Sequence, residues 1–295
     1  MWGVEGWEKG ALRGLGEPLA IAQGAFGDVY VADVANHRVT VFGPDGTTRA
    51  TWGVGKPTVA DAWMGGKRSW YAAGAEPSEA EGGLVNPIDV AITPIKNGEL
   101  VAVLDATGRV QWFNDQGAVV RTVKAAPSAK PGARRGGVGH LLLLGAKTAV
   151  VWGDEVVVVD EAGEEVRWTV SDGAPITAEP LPGGKLLLGF REGGVMYSAD
   201  GFRHGVVLPE SAMPKGIEAY DLTTDEKGKL WLIGDNGVAV KYKRPGKIDW
   251  QVRWSEASVD SPRAAVRDGM LFISGEDRVR RIDALELHAK DELEE

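Results

Sequence analysis

One short unit recurs along this 295-residue chain, and its period decides what the chain can fold into. An apolar or aromatic residue stands four positions before a turn glycine: Phe42 before Gly46, Phe113 before Gly117, Val159 before Gly163, Tyr197 before Gly201 and Tyr242 before Gly246. Ile282 begins a sixth copy, with Glu286 where the glycine would be. Successive turn positions lie 71, 46, 38, 45 and 40 residues apart. A unit of roughly 40 residues with insertions is the mark of a propeller or a solenoid. In the first copy Val29, Val31, Val39 and Val41 alternate with other residues, the period of a half-buried strand. Asp33-Val34-Ala35-Asn36 is a turn between the two runs, and Pro44-Asp45-Gly46 is a second turn after them. Two strands cannot bury a core alone, so the unit has to repeat.

The first copy also resembles a known family. Tyr30-Val31-Ala32-Asp33, Asn36-His37-Arg38-Val39, Val41-Phe42 and Gly46 look like the NHL repeat, and Pro18-Leu19-Ala20-Ile21-Ala22 is similar to its opening strand. The second copy keeps Pro87, Asp105 and Gly108-Arg109-Val110; later copies keep the spacing and the apolar pattern. The resemblance implies an all-β fold, a six-bladed β-propeller of four-stranded antiparallel blades. It says less about function, because such propellers include protein-binding, RNA-binding, sensor and lyase members. The whole chain reads as one propeller domain, with blades over residues 17–53, 86–124, 139–170, 175–209, 216–254 and 258–289 and insertions over 54–85 and 125–138. Trp112, Trp168, Trp231, Trp250 and Trp254 fall within the expected strands, where aromatics fill the wedge between blades. Residues 285–289 are a candidate fourth strand for blade six, which is expected to close without a full strand from residues 1–7.

Composition narrows the function classes. With 42 acidic against 33 basic residues the formal charge is −9, which argues against sequence-independent binding to nucleic acid. No cysteine is present, so disulfides, thiol nucleophiles and Cys-ligated zinc are excluded. No apolar run reaches the length of a membrane span. The first residues lack the basic start and apolar core of a signal peptide, which fits a cytoplasmic protein or an exported one whose targeting segment was removed. Trp2-Gly3 mirrors Trp52-Gly53, so the chain begins at a blade seam. It is expected to be a monomer, either cut from something longer or a mature form after processing.

Both insertions join the last strand of one blade to the first strand of the next. In an up-and-down meander these connections leave the same face as the Asp33–Arg38 turn. That face is the expected binding surface, with Asn36 and His37 in the turn, Trp63, Lys67, Arg68, Trp70 and Tyr71 in the first insertion, and Arg134 and Arg135 in the second. Aromatics and arginine are the usual interface anchors. The alternatives are turn capping by Asp33 and Asn36, a first insertion that buries its own aromatics, and a solvated second insertion. Lys124 and Lys130 complete the basic segment around the second insertion.

Asp33, Asp105, Asp154, Asp235 and Glu276 occupy comparable strand ends and could ring a calcium or magnesium ion in the channel, but turn capping, repeated because the turn is repeated, is the favoured reading. No other cofactor is implied. His37, His140, His204 and His288 are scattered, with no metal-ligand spacing, no nucleophile elbow and no phosphate loop. The sequence favours a non-catalytic propeller that binds a protein, peptide or glycan. An enzyme, a lyase or metal-dependent lactonase with its site at the channel mouth, is one alternative. A sensor or ectodomain of a larger surface protein is another.

Overall fold

Strands form where β-branched and leucine residues alternate or run together, and they stop where a glycine takes positive φ or an Asp or Asn caps the turn. The computed structural model describes residues 18–283 apart from 54–57, 60–76, 97, 127–138, 191–192, 214–218, 226, 235–236, 245–246, 254–262, 268 and 276–277. Its strands fall into six antiparallel sheets, the blades of a six-bladed β-propeller. The first sheet holds β1 (Pro18–Gln23), β2 (Val29–Asp33), β3 (Arg38–Phe42), β4 (Thr48–Trp52) and the short β5 (Thr58–Val59). The second holds β6 (Pro87–Ile95), β7 (Gly98–Asp105), β8 (Arg109–Asn114) and β9 (Val119–Lys124). The third is β10 (His140–Leu144), β11 (Lys147–Trp152), β12 (Glu155–Val159) and β13 (Glu165–Thr169). The fourth is β14 (Thr177–Leu181), β15 (Lys185–Phe190), β16 (Gly193–Ser198) and β17 (Arg203–Leu208). The fifth is β18 (Ala219–Thr224), β19 (Leu230–Gly234), β20 (Val238–Arg244) and β21 (Lys247–Arg253). The sixth is β22 (Arg263–Arg267), β23 (Met270–Gly275) and β24 (Arg278–Asp283). Each sheet is a meander in which neighbours in sequence are neighbours in space. Helix is limited, among the described residues, to two single 3-10 turns at Val34–Asn36 and Glu210–Ala212. The expected fourth strand of blade six and the closure at residues 1–7 lie outside the described residues.

The chain divides into two compact units, residues 1–132 with 274–280 and residues 133–273 with 281–295. In the first unit β1 abuts β6, and the core between blades one and two is built from Tyr30, Val39, Val41, Trp52, Leu84, Val101, Val103 and Phe113. Trp52 is buried, with its ring 5.4 Å from Tyr30 and stacked 5.8 Å from Phe113. In the second unit the inner strands abut in series, β10 on β14, β14 on β18 and β18 on β22. Separate apolar cores fill the seams of blades three with four, four with five and five with six. Burial of this apolar surface is the main driving force, worth about 25 cal/mol per Å².

The recurring turn glycine has a second use beyond its left-handed backbone. A Cβ on Gly117 would stand 2.5 Å from the Trp52 indole, and one on Gly201 would stand 2.8 Å from Trp168. A tryptophan on the fourth strand of one blade therefore seats on the turn glycine of the next. Trp168 also stacks on Tyr197 at 5.2 Å and donates to the Ala199 carbonyl at 3.1 Å. Of the tryptophans expected in the wedges, Trp112 and Trp231 are buried and Trp168 is half-buried. The side chain of Trp250 and all of Trp254 lie outside the described residues.

Candidate functional site

The Asp33–Arg38 turn builds itself around one buried carboxylate. Asp33 ends β2, and the 3-10 turn that follows carries Asn36 back over it. Asn36 Nδ2 donates to both Asp33 oxygens at 3.0 and 2.9 Å, and Arg38 Nε donates to Oδ2 at 2.7 Å. His37 between them sits in the left-handed region at φ 52, and its Nδ1 accepts from the Asn86 backbone N–H at 3.1 Å. That contact assigns the ring proton to Nε2. Asn86 is itself left-handed, at φ 47, so the two positive-φ non-glycine residues among the described residues meet across the blade seam. Asn36 and His37, expected to face a ligand, are half-buried here and join the architecture of the turn and the seam.

The second blade repeats the device and extends it to the first insertion. Asp105 accepts from Arg109 Nε at 3.2 Å and Nη2 at 2.8 Å, and from the Thr107 backbone N–H at 3.0 Å. The same guanidinium donates to the carbonyls of Ser78, Glu79 and Gly83. Gln111, buried beneath it, donates to Gly83 at 2.7 Å and accepts from the Gly82 N–H at 3.0 Å. Leu84 closes the segment in the core. At its other end the insertion is held by β5, which pairs antiparallel with β4, Thr58 opposite Thr51 and Val59 opposite Ala50. The first described part of the insertion, Thr58–Val59, thus pairs along the outer edge of the blade. The edge of β4 offers it hydrogen bonds.

The expected ring of acids divides in the same way. Asp33 and Asp105 are buried in their own turns, while Asp154 is exposed and its backbone carbonyl accepts from Val170 at 2.7 Å. Asp235 and Glu276 lie outside the described residues. Among the described residues no group of three or more His, Asp or Glu side chains is placed to hold a metal ion. Trp63, Lys67, Arg68, Trp70, Tyr71, Arg134 and Arg135, the rest of the expected binding face, also lie outside the described residues.

What the sequence reading did not assemble is a polar cluster on the inner strands of the second unit. It joins His140 of β10, Thr177 of β14, Asp221 of β18 and Arg263 of β22. His140, Thr177 and Asp221 are 3, 2 and 5% exposed. Asp221 Oδ1 accepts from the Thr177 hydroxyl at 2.7 Å and the Leu222 N–H at 3.0 Å, and Oδ2 accepts from the Ala264 N–H at 2.7 Å. The Arg263 guanidinium lies 3.5 Å from Asp221 and turns toward the imidazole, Nη1 2.8 Å from His140 Nδ1 and Nη2 3.3 Å from Nε2. Burial and the adjacent guanidinium hold His140 well below its ordinary titration range, against a backbone hydrogen bond with Ile176. Burial pushes the Asp221 carboxyl up, while Arg263 and the three hydrogen bonds pull it down. The members stand 37, 44 and 42 residues apart, so the blade period itself would have found them. A neutral imidazole beside a cation and a fully bonded carboxylate ties four inner strands together. A constellation of this kind, with perturbed acid and base groups, also occurs where proteins do acid–base chemistry.

A family model for the NHL repeat matches residues 15–42, the part of the first blade that runs through β3. Solved structures share the fold at low identity. Virginiamycin B lyase from Staphylococcus aureus is 12% identical, with 89% of this chain and 93% of that chain covered and a TM-score of 0.54. A streptogramin B lyase is 12% identical over 90% of this chain and 92% of its own, with a TM-score of 0.52. A catalytically inactive virginiamycin B lyase from S. aureus with quinupristin is 8% identical over 92 and 86%, with a TM-score of 0.54. No curated protein matches this chain by sequence. At these identities the likeness is one of fold, the six-bladed propeller.

Proposed function

We propose that this propeller is a non-catalytic binding module that recognises a protein, peptide or glycan through its first insertion and the loops beside it. One observation carries the reading: the scaffold grips the insertion at both ends, through β5 on β4 and through Arg109 and Gln111 on residues 78–84. An excursion fixed at both ends loses less freedom on binding than a free one, which is what a recognition loop requires. Its intervening sequence supplies Trp63, Lys67, Arg68, Trp70 and Tyr71, and the second insertion adds Arg134 and Arg135. Set in a chain of net charge −9, this basic and aromatic composition suits an acidic partner. Nucleic acid fits that overall charge poorly, and among the described residues no helix is long and apolar enough to cross a membrane. The protein acts as a monomer in this reading, with no cofactor required.

The test uses Trp70→Ala and Arg134→Glu separately. Both should leave the melting temperature nearly unchanged, since loop substitutions away from the core usually cost under about 0.5 kcal/mol. Capture of partner should fall for at least one of them. Retention by both, with loss on substituting Asp45 or Asp200 in the turns of the opposite face, would reject the reading.

The His140–Asp221–Arg263 cluster favours a second reading, a propeller enzyme such as a lyase, because it gathers a base, an acid and a cation on the inner strands. The engagement of all three with one another weighs for the binding module. A calcium or magnesium ion on Asp33, Asp105, Asp154, Asp235 and Glu276 would have to draw Asp33 and Asp105 away from Arg38 and Arg109. Metal analysis of the purified protein, with melting temperature measured as calcium is added, decides that part.

A further inference from the structure

The inner strands of the second unit are closed into a circuit by side chains. Thr177 ties β14 to Asp221 on β18, Asp221 ties β18 to the Ala264 N–H on β22, and Arg263 of β22 reaches back to His140 at the start of β10. The last link differs from the others in kind. Thr177–Asp221 and Asp221–Ala264 are donor–acceptor contacts that persist while the carboxylate is ionised. The Arg263–His140 link exists only while the imidazole has a lone pair to offer, because a guanidinium is always charged and can only donate. A protonated imidazole 2.8 Å from that guanidinium would be a cation facing a cation. Buried as His140 is, little solvent can screen the pair.

We propose that the His140–Arg263 contact is an acid-released latch: proton uptake by His140 separates β22 from β10 while the apolar seams of the blades remain packed. The charged and titratable groups that face the imidazole, among the described residues, are Arg263 from β22 and, behind it, Asp221 from β18. Thr177 on β14 and the Ile176 backbone are neutral. The direction of the linkage follows from the depressed titration of His140, whose ordinary value is 6.5. A base held neutral in the closed state and free to take a proton in the open one favours the closed state above about pH 6.5. As pH falls below that value the opening constant rises, until the depressed midpoint is reached. Asp221 runs in the opposite sense. Its carboxyl is raised from 3.8, so falling pH strengthens the closed state through that group, in the window just above 3.8. The latch therefore opens within the His140 window, in mild acid.

The test follows the His140 ring by NMR, assigned by loss of its signal in His140→Gln, and amide exchange of residues 140–144 and 263–267 corrected for intrinsic pH dependence. The expected titration midpoint lies well below 6.5 and rises in Arg263→Gln, which removes the adjacent cation. Protection of the two segments should fall about tenfold per pH unit below about 6.5, the slope of a single linked proton. His140→Gln should abolish that slope. An ordinary midpoint in the wild type would overturn the latch, as would an unchanged slope in His140→Gln. The same slope in β15 and β19 would also overturn it, since that is opening of the whole unit. Should Arg263→Gln not fold, the exchange profiles of His140→Gln and His140→Asn decide the matter by themselves.

Discussion

Gly117→Ala isolates the seat between blades one and two, because the protein contains its own control. Gly117 has φ +74, and an added Cβ would lie 2.5 Å from the Trp52 ring. Gly163 occupies the same turn position in blade three at φ +88, with nothing within 4 Å of an added Cβ. Alanine in the left-handed region costs about 1–2 kcal/mol, and Gly163→Ala should lose only that. Gly117→Ala should lose about 1–3 kcal/mol more from overpacking. Trp52 has little room to retreat, held between Tyr30 at 5.4 Å and Phe113 at 5.8 Å. The total expected for Gly117→Ala is about 2–5 kcal/mol. Combining it with Trp52→Leu removes the clash but not the backbone strain. The two substitutions should then be sub-additive by about 1–2 kcal/mol, well outside the additivity of independent sites. Urea unfolding followed by far-UV circular dichroism measures each variant. If the two glycine variants agree to within about 0.5 kcal/mol, or if the double variant is additive, the seat contributes nothing and the reasoning fails.

Three further outcomes are expected. Arg109→Ala leaves the Asp105 carboxylate and the Ser78 and Gly83 carbonyls without their guanidinium, and should cost about 2–4 kcal/mol; limited proteolysis should cut faster within residues 77–86, and an unchanged cleavage rate would show that Arg109 does not hold the insertion. Glu99 is buried where it accepts from the Ala25 N–H and, at 3.2 Å, from the Tyr30 hydroxyl, whose titration burial and this carboxylate hold well above its ordinary value. Glu99→Ala should therefore cost about 1–3 kcal/mol in urea unfolding, from two orphaned donors, and Glu99→Gln, which can still accept, should cost less. Asp221→Ala strands a buried guanidinium and the Ala264 N–H together and should cost about 3–5 kcal/mol by the same measurement; a loss under 1 kcal/mol would mean that water reaches Arg263.

The blade period was legible because a tight turn is a local object. Phe42 to Gly46 fixes its geometry within five residues, and the Gly46 and Gly117 N–H groups close their turns on Gly43 and Asn114 as the spacing implied. The engagement of Asp33 within its own turn was legible for the same reason, though it comes through the side chains of Asn36 and Arg38 and not as a cap on the 3-10 turn. The seat of Trp52 on Gly117 was not legible, because that glycine is one blade away and reads as an ordinary turn glycine. The inner-strand cluster was missed although its members recur at the blade period. Histidine, threonine, aspartate and arginine share no pattern of apolarity, and only the abutting of β10, β14, β18 and β22 makes them neighbours. The path of the first insertion was unreadable from Thr58 and Val59, since two residues carry too little periodicity to announce a strand.

That short strand bears on how these molecules behave in a crowd. A blade ends in an edge whose N–H and C=O groups can recruit any passing extended chain. On blade one the edge of β4 is occupied by β5, part of the same polypeptide. The edges at β9, β17 and β21 are bent by breaks in their register, a shape that a flat strand joins poorly. Among the described residues β13 has neither protection: its register with β12 is unbroken and Val166 is exposed. Its guard is charge, Arg167 set between Glu165 and Glu155. Replacing Glu155, Glu165 and Arg167 together by serine removes that guard, so light scattering of the triple variant should register more self-association than the wild type shows.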